Sequence, residues 1–162
     1  GSDGEIARMT ERFAIRGRIG DAELDDPQRA GGAITDEASA TRKPLRTATI
    51  TAPTRMGAFA AVSGDRNPIH MSDLSAKAFG FPKAIAHGMW SAAAAVANVE
   101  PQLPDDVTYS VKWAKPILLP AKVNLYVHRI DGVGGRSSGN FDISILNRRK
   151  GYPHLTATTR GA

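Results

Sequence analysis

The segment "DRNPIH" (residues 65–70) combines an acid, an amide, a proline and a histidine. Three interpretations fit it. Its residues are turn formers, and Asp65 can accept backbone N–H bonds across a turn. Asp65, His70 and His87 could instead ligate a metal, but no further Asp, Glu or His falls at a ligand-like spacing, and we predict no metal. The third interpretation is an acid–base pair of Asp65 and His70.

An acid–base pair requires a carboxylate and an imidazole held at a fixed separation. Pro68 fixes one backbone dihedral angle and Gly64 allows a sharp bend, so the loop can direct Asp65 and His70 into one cleft. Histidine titrates near neutral pH, and a carboxylate can orient it or share a water with it. Such a pair suits the addition of water to an activated double bond, or the reverse elimination.

A second chemical feature lies in "AIAHGMW" (residues 84–90), where Gly88 stands at the start of a predicted long helix. Backbone N–H groups there lack intrahelical acceptors and the helix dipole is positive. A glycine lets a carbonyl oxygen, such as that of a thioester, approach the N–H closely. The neighbouring His87 is at such a position more often a structural hydrogen-bonding group than a catalyst.

Helices are predicted between an early strand and four later ones. "LRTATITAP" has the alternation of a strand that ends at Pro53. Thr54 is a candidate N-cap for a helix that ends at Gly64, and "SDLSAKAFG" predicts a second short helix, capped by Ser72 and ending at Gly80. The long helix "HGMWSAAAAVANVE" is expected to end at Pro101, and its alanines make it slim.

After the long helix the apolar period becomes two. The predicted strands are "VTYSVKWAKPILL", "AKVNLYVHRI", "NFDISILN" and "PHLTATTRG". In the second and third of them the apolar residues share one face: Val123, Leu125 and Val127, then Phe141, Ile143 and Ile145. The intervening "DGVGGRSSG" is predicted to be a hairpin loop, because its glycines do not have the dinucleotide-binding spacing and no helix follows.

This order of elements predicts an α+β domain in which one antiparallel sheet wraps a single central helix. We assign it to residues 46–162. Residues 1–45 are polar and interrupted by Gly and Pro, and we expect a linker or N-terminal arm that is partly ordered.

Composition excludes several classes of protein. None of the 162 residues is a cysteine, which excludes disulfides, Cys-based zinc sites and thiol nucleophiles. No apolar run approaches the roughly 20 residues that span a bilayer, and no signal-peptide pattern opens the chain. We therefore expect a cytoplasmic protein that binds no membrane.

Charge is unevenly distributed along the chain. Residues 1–46 carry 8 Lys/Arg and 9 Asp/Glu, whereas residues 47–162 carry 13 and 7, a net charge of +6. A mildly basic body suits a phosphate-bearing small ligand or an acidic carrier protein. Nucleic acid is disfavoured because "NRRK" (residues 147–150) is the only basic cluster, and this cluster is most simply a solvated strand end or turn.

Two motifs and a third stretch resemble a known family. "FAAVSGDRNPIH" followed by "FGFPKAIAHGMW" is similar to the (R)-specific enoyl-CoA hydratases, also called hydratase 2 or MaoC-like dehydratases. "VKWAKPILLPAKV" is similar to a strand of the same family. The resemblance covers residues 47–160 and looks closest to actinobacterial members that join two such domains in one chain. The N-terminal arm is also similar to the segment before the MaoC-like region of actinobacterial multifunctional fatty acid synthases.

The resemblance implies a hot-dog fold and assigns roles. Asp65 and His70 become the catalytic pair that activates water for syn addition to a trans-2-enoyl thioester of CoA or acyl carrier protein, giving the (R)-3-hydroxyacyl product, or the reverse. Asn67 orients the turn, and the Gly88 N–H holds the thioester oxygen. No metal or redox cofactor is implied, because the thioester itself acidifies the α-proton.

The resemblance also implies a substrate channel and a partner. We place His87, Met89, Trp90, Phe79 and Gly64 beside the substrate, with plain core packing as the alternative for Trp90 and Phe79. Hot-dog domains usually pair, so we expect a homodimer or pairing with a second hot-dog domain. Two other functions remain open: a non-catalytic domain that binds acyl thioesters or pairs with a partner, and a hot-dog thioesterase.

Overall fold

The computed structural model describes residues 43–130 and 139–161. Within them five strands form one antiparallel sheet in the order β1-β3-β4-β5-β2. The strands are β1 (Arg46–Thr51), β2 (Val107–Trp113), β3 (Lys122–Arg129), β4 (Phe141–Asn147) and β5 (Pro153–Gly161). All five were predicted. The predicted arm, apart from residues 43–45, and nearly all of the predicted glycine-rich loop lie outside the described residues.

One face of the sheet forms the core. The six apolar residues predicted to share a face on β3 and β4 are all at most 1% exposed: Val123, Leu125, Val127, Phe141, Ile143 and Ile145. Their neighbours along each strand are partly buried or exposed. The period of two is therefore confirmed, and burial of this apolar face is the main contribution to stability that the strands make.

Four helices lie between β1 and β2: α1 (Gly57–Ser63), α2 (Pro68–Met71), α3 (Asp73–Ala78) and α4 (Gly88–Val96). Helix α4 contacts β4 and β5 and buries Ser91, Ala92 and Ala95. Small side chains let its backbone approach the sheet closely, as the alanine run predicted. An antiparallel sheet packed around one central helix is the hot-dog fold, an α+β architecture.

Two predicted helix boundaries are wrong. Helix α1 begins at Gly57, with Met56 rather than Thr54 at the N-cap and no side-chain cap bond. Met56 is almost fully buried, so core packing sets the start of this helix in place of a polar cap. Helix α4 ends at Val96, and Pro101 lies inside a following 3₁₀ turn (Glu100–Gln102). The chain tightens before a proline that cannot continue an α-helix.

Of three other local predictions, two are confirmed and one is wrong. Ser72 caps α3 and accepts a hydrogen bond from the Ser75 N–H at 3.1 Å, as expected. Strand β2 was predicted to continue to Leu119 but ends at Trp113. The reason is Pro116, which has no N–H to donate to a sheet ladder. Residues 148–150 form the turn between β4 and β5, as the sequence predicted for the basic cluster.

Within residues 43–130 and 139–161, no helix combines the length and apolarity needed to cross a membrane.

Candidate active site

The loop that follows α1 is ordered by its own polar side chains. Gly64 ends α1 in the left-handed conformation (φ 75°), which turns the chain directly into Asp65. Asp65 Oδ1 accepts a hydrogen bond from the Asn67 N–H at 3.0 Å, and Asn67 Oδ1 accepts one from the Ile69 N–H at 3.3 Å. Asn67 thereby caps α2, in which Pro68 is the first residue. The turn interpretation is therefore confirmed, and it is compatible with an acid–base pair.

Asp65 and His70 face each other across a short gap. Asp65 Oδ2 lies 3.7 Å from His70 Nε2. His70 Nδ1 lies 2.9 Å from the Ile85 carbonyl oxygen, which can only accept, so Nδ1 carries the proton. The lone pair of Nε2 is then directed to the carboxylate side. The gap is too long for a direct hydrogen bond and short enough for one water to bridge the two atoms.

The two side chains differ in their environment. The Asp65 side chain is 51% exposed, whereas His70 is 8% exposed. Burial lowers the pKa of His70 below 6.5, and the nearby His87 lowers it further. The hydrogen bond to the Ile85 carbonyl and the Asp65 carboxylate oppose this shift without cancelling it. His70 therefore remains a neutral proton acceptor at pH 7.

His87 supports both members of the pair. It is 2% exposed, and its ring stacks on the His70 ring with centroids 3.8 Å apart. Its Nε2–H donates to the Asp65 carbonyl oxygen at 2.9 Å. Its Nδ1 is buried and has no hydrogen-bond partner within the described part of the chain. These contacts make His87 a support for the loop and for the His70 imidazole, as well as a lining residue of the adjacent cavity.

A metal is the other chemical possibility for these residues. Donor atoms of Asp65, His70 and His87 all lie within 4.8 Å of one another. However, His87 Nε2 already donates its proton to the Asp65 carbonyl, so only one of the two imidazoles presents a lone pair to the shared space. A metal bound through His87 Nε2, which lies 3.7 Å from Asp65 Oδ2, would require His87 to give up that hydrogen bond. The donor set therefore fits proton transfer better than metal ligation.

A cavity of about 250 Å³ adjoins the pair and reaches the start of α4. Its walls are mainly apolar, with His70, His87 and Gly88 along one part and residues 113–117 along another. Asp65 lies beside the cavity rather than in its wall. Four further lining residues were not singled out by the sequence analysis: Ser91, Trp113, Lys115 and His154. Trp113 and Lys115 lie in the stretch "VKWAKPILLPAKV", but the sequence assigned no role to any of the four residues. The fold brings them to the cavity from α4, from the end of β2 and the residues after it, and from β5.

Gly88 is the first residue of α4 and lines the cavity, as an oxyanion donor must. Its N–H has no acceptor among the described residues. The remaining residues placed beside the substrate lie elsewhere. Met89 and Phe79 are exposed, and Trp90 packs against the core. None of these three lines the cavity in this chain, and their contact with substrate stays a prediction.

Comparison with known proteins agrees with this fold. The chain belongs to the family described as MaoC like domain, whose family model matches residues 33–145. It is 53% identical over 109 residues to 3-hydroxyacyl-thioester dehydratase X of Mycobacterium tuberculosis, covering 67% of this chain and 36% of that protein.

Solved structures show the same relationship. The crystal structure of HtdX of M. tuberculosis matches with a TM-score of 0.62 and 51% identity, over 74% of this chain and 48% of that one. An (R)-hydratase of A. caviae involved in PHA biosynthesis matches with a TM-score of 0.56 at 20% identity, over 74% of this chain and 96% of the other. The second match shows the fold alone. The chain thus spans between a third and a half of its M. tuberculosis relatives.

Proposed function

We propose that this domain catalyses the (R)-specific hydration of trans-2-enoyl thioesters to (R)-3-hydroxyacyl thioesters, or the reverse dehydration, in fatty acid metabolism. The observation that carries the proposal is the 3.7 Å gap between Asp65 Oδ2 and His70 Nε2, beside a cavity that reaches Gly88. Further support comes from the dehydratase of 3-hydroxyacyl thioesters that is 53% identical to this chain.

The gap positions one water. An oxygen atom placed about 2.8 Å from both atoms would direct one O–H to the Asp65 carboxylate and the other to His70 Nε2, since both atoms are acceptors. The lone pairs of the water oxygen then point away from the pair, where a double bond can receive them. The low pKa of His70 keeps Nε2 unprotonated for this role.

The proposed addition places the oxygen and both protons of the water on the product. The water oxygen bonds to C3 of the enoyl group while the π electrons move through C2 toward the thioester oxygen. One water proton passes through the pair to C2 on the same face, and the other stays on the new hydroxyl. The Gly88 N–H, at the positive end of α4, donates to the thioester oxygen as negative charge develops there. Asn67 keeps the loop in its conformation.

The direct test is turnover of trans-2-enoyl-CoA substrates of several chain lengths. Loss of the conjugated-enoyl absorbance without release of free thiol is the expected result. Release of thiol identifies a thioesterase instead. Saturable binding with neither signal identifies a non-catalytic acyl-thioester domain. The same assay with enoyl thioesters of acyl carrier protein compares the two carriers.

We further infer that the domain works paired with a second hot-dog domain, either another copy or another part of a longer chain. Two observations support this. The chain spans 48% of the HtdX chain that it matches. The large apolar residues Val62, Leu74 and Phe79, which lie in or next to α1 and α3, are exposed in the isolated domain. Sedimentation equilibrium measures the stoichiometry: a dimer supports pairing between copies, and a monomer whose activity appears only with an added second domain supports pairing within a longer chain.

A further inference from the structure

Trp113 is the last residue of β2 and lies where an aromatic side chain gains little from burial. Its side chain is 47% exposed, yet it lines the cavity together with His70 and Gly88. The other tryptophan of the chain, Trp90, packs against the core. A large aromatic ring contributes most to stability when it is fully buried. The position of Trp113 therefore needs another physical reason.

The indole is tied to the first peptide of α4. Trp113 Nε1–H donates to the Gly88 carbonyl oxygen at 2.9 Å, and the Ser91 hydroxyl donates to the same oxygen at 2.6 Å. Both donors are side chains, so their hydrogen bonds to the Gly88 carbonyl oxygen are additional to any that the helix backbone donates. Together they hold the peptide between Gly88 and Met89, and with it the start of the helix, where Gly88 lines the cavity.

The indole also explains why residue 88 is a glycine. A Cβ at this position would lie 3.1 Å from Trp113 Nε1 and 3.3 Å from Trp113 Cε2, closer than ordinary van der Waals contact. Gly88 is not among the glycines with positive φ, so its backbone conformation is open to other residues. An alanine here would require the ring to shift by a few tenths of an ångström, so the glycine and the ring are closely fitted to each other. Gly88 and Trp113 therefore act as one unit.

We propose that Trp113 is a positioning residue that holds the start of α4 in register with the Asp65–His70 pair and walls the cavity beside it. The proposal rests on the function proposed above. A donor to a developing oxyanion stabilises the transition state only if it is aligned before the charge appears. Loss of the Nε1–H bond should therefore lower kcat, whereas loss of the aromatic wall should raise KM.

Two substitutions separate these effects. Trp113→Phe keeps an aromatic wall and removes the N–H, so kcat for trans-2-enoyl-CoA should fall about three- to tenfold with KM within about twofold. Trp113→Ala removes both and should also raise KM. The matched control is Tyr109→Phe. Tyr109 lies on the same strand and its hydroxyl donates at 2.8 Å to the Ala92 carbonyl of the same helix, but it does not line the cavity. Its loss should leave kcat unchanged.

A double-mutant cycle tests the steric part. Gly88→Ala in the wild-type background forces a methyl group against the indole and should displace the Nε1–H bond. In the Trp113→Ala background that space is open, so the same substitution should cost less in kcat. Additive effects of Gly88→Ala and Trp113→Ala on kcat would contradict a coupled unit.

A binding measurement does not depend on turnover. In Trp90→Phe protein Trp113 is the sole tryptophan, and saturating octanoyl-CoA, which cannot be hydrated, should quench its emission or shift it to shorter wavelength. The emission of Trp90 is recorded separately in Trp113→Phe protein, because Trp90 packs against the core and does not line the cavity. Unchanged Trp113 emission under saturation, or wild-type kcat in Trp113→Phe, overturns the role of Trp113. Absence of hydration by the wild-type protein overturns the proposed function instead. The emission measurement distinguishes the two failures, because it does not require turnover.

Discussion

The β3–β4 pair and the loop that carries Asp65 are held in place by different forces. Alternate side chains of the two strands are buried against one another and against α4, and their contribution is apolar. The loop is held instead by hydrogen bonds of Asp65, Asn67, His70 and His87 to nearby backbone groups. Stability and chemistry are therefore located in different regions, and substitutions in the two regions should have different signatures.

The sharpest way to test that separation is to remove the acid–base pair. Asp65→Asn or His70→Gln should lower kcat/KM by about 10²–10⁴, the usual loss when general acid–base catalysis is removed. Thermal unfolding should change little, because Asn and Gln retain most of the local hydrogen bonding. Steady-state kinetics and circular dichroism check the two halves of the prediction.

The control for this pair is Asp106→Asn, since Asp106 is an exposed acid between α4 and β2. It should retain wild-type kcat/KM. Substantial turnover by Asp65→Asn or His70→Gln would show that these two residues are not the catalytic pair.

A substitution in the core of the sheet should lower stability and leave catalysis unchanged. Leu125→Ala removes a fully buried side chain from β3 and should lower the free energy of unfolding by about 2–5 kcal/mol, from lost burial and the cavity left behind. The kcat per folded molecule should be unchanged. Urea denaturation measures the first quantity, and active-site titration with kinetics the second.

Lys122→Ala on the same strand is the matched control, because Lys122 is exposed. Its free energy of unfolding should stay within about 0.5 kcal/mol of wild type. A large loss of kcat per folded Leu125→Ala molecule would mean that the core and the site are coupled.

Substitution of His87, which contacts Asp65 and His70, should have a smaller effect than removal of the acid–base pair. Its presence lowers the pKa of His70, so His87→Gln should raise that pKa. In the proposed mechanism the neutral form of His70 is the active one, so the acid limb of kcat/KM should move to higher pH. In the wild type this limb should lie below pH 6.5, since burial already lowers the pKa. The pH profile of kcat/KM measures both.

His128→Gln serves as the control for this measurement, because His128 lies on β3 away from the cavity. Its acid limb should coincide with that of the wild type. A limb that stays in place, or moves to lower pH, in His87→Gln would contradict the electrostatic role of His87.

The smallest effect is expected from metal removal. Dialysis against a chelator should leave kcat unchanged, because the proposed chemistry needs only Asp65, His70, Gly88 and water. Loss of activity that is restored by added zinc would replace the acid–base interpretation with the metal site that the Asp65, His70 and His87 donors could form.

Local sequence predicted much of the fold and the centre of the site. The period of two located β3 and β4 with their buried faces, and the composition of "DRNPIH" indicated a stiff turn that carries an acid and an imidazole. The helix boundaries at Thr54 and Pro101 were wrong because burial of Met56 and tightening of the chain before a proline are not visible in local propensity.

Other features followed from contacts between distant residues. The stack of His87 on His70 joins positions 17 residues apart, and the Trp113–Gly88 hydrogen bond joins positions 25 apart. No spacing rule marks such a contact. The sheet order β1-β3-β4-β5-β2 is likewise a choice among pairings that the strand patterns alone do not distinguish.

The sequence by itself determined which residues turn, which alternate and which carry titratable groups, because those properties depend on side-chain type and near neighbours. Only the tertiary structure decided that His70 is buried and Asp65 is half exposed, and that an indole from β2 lies against the glycine of α4. The reason is physical: desolvation and close packing depend on which distant segments meet, and the chain settles that only when the apolar face of the sheet closes on the helix.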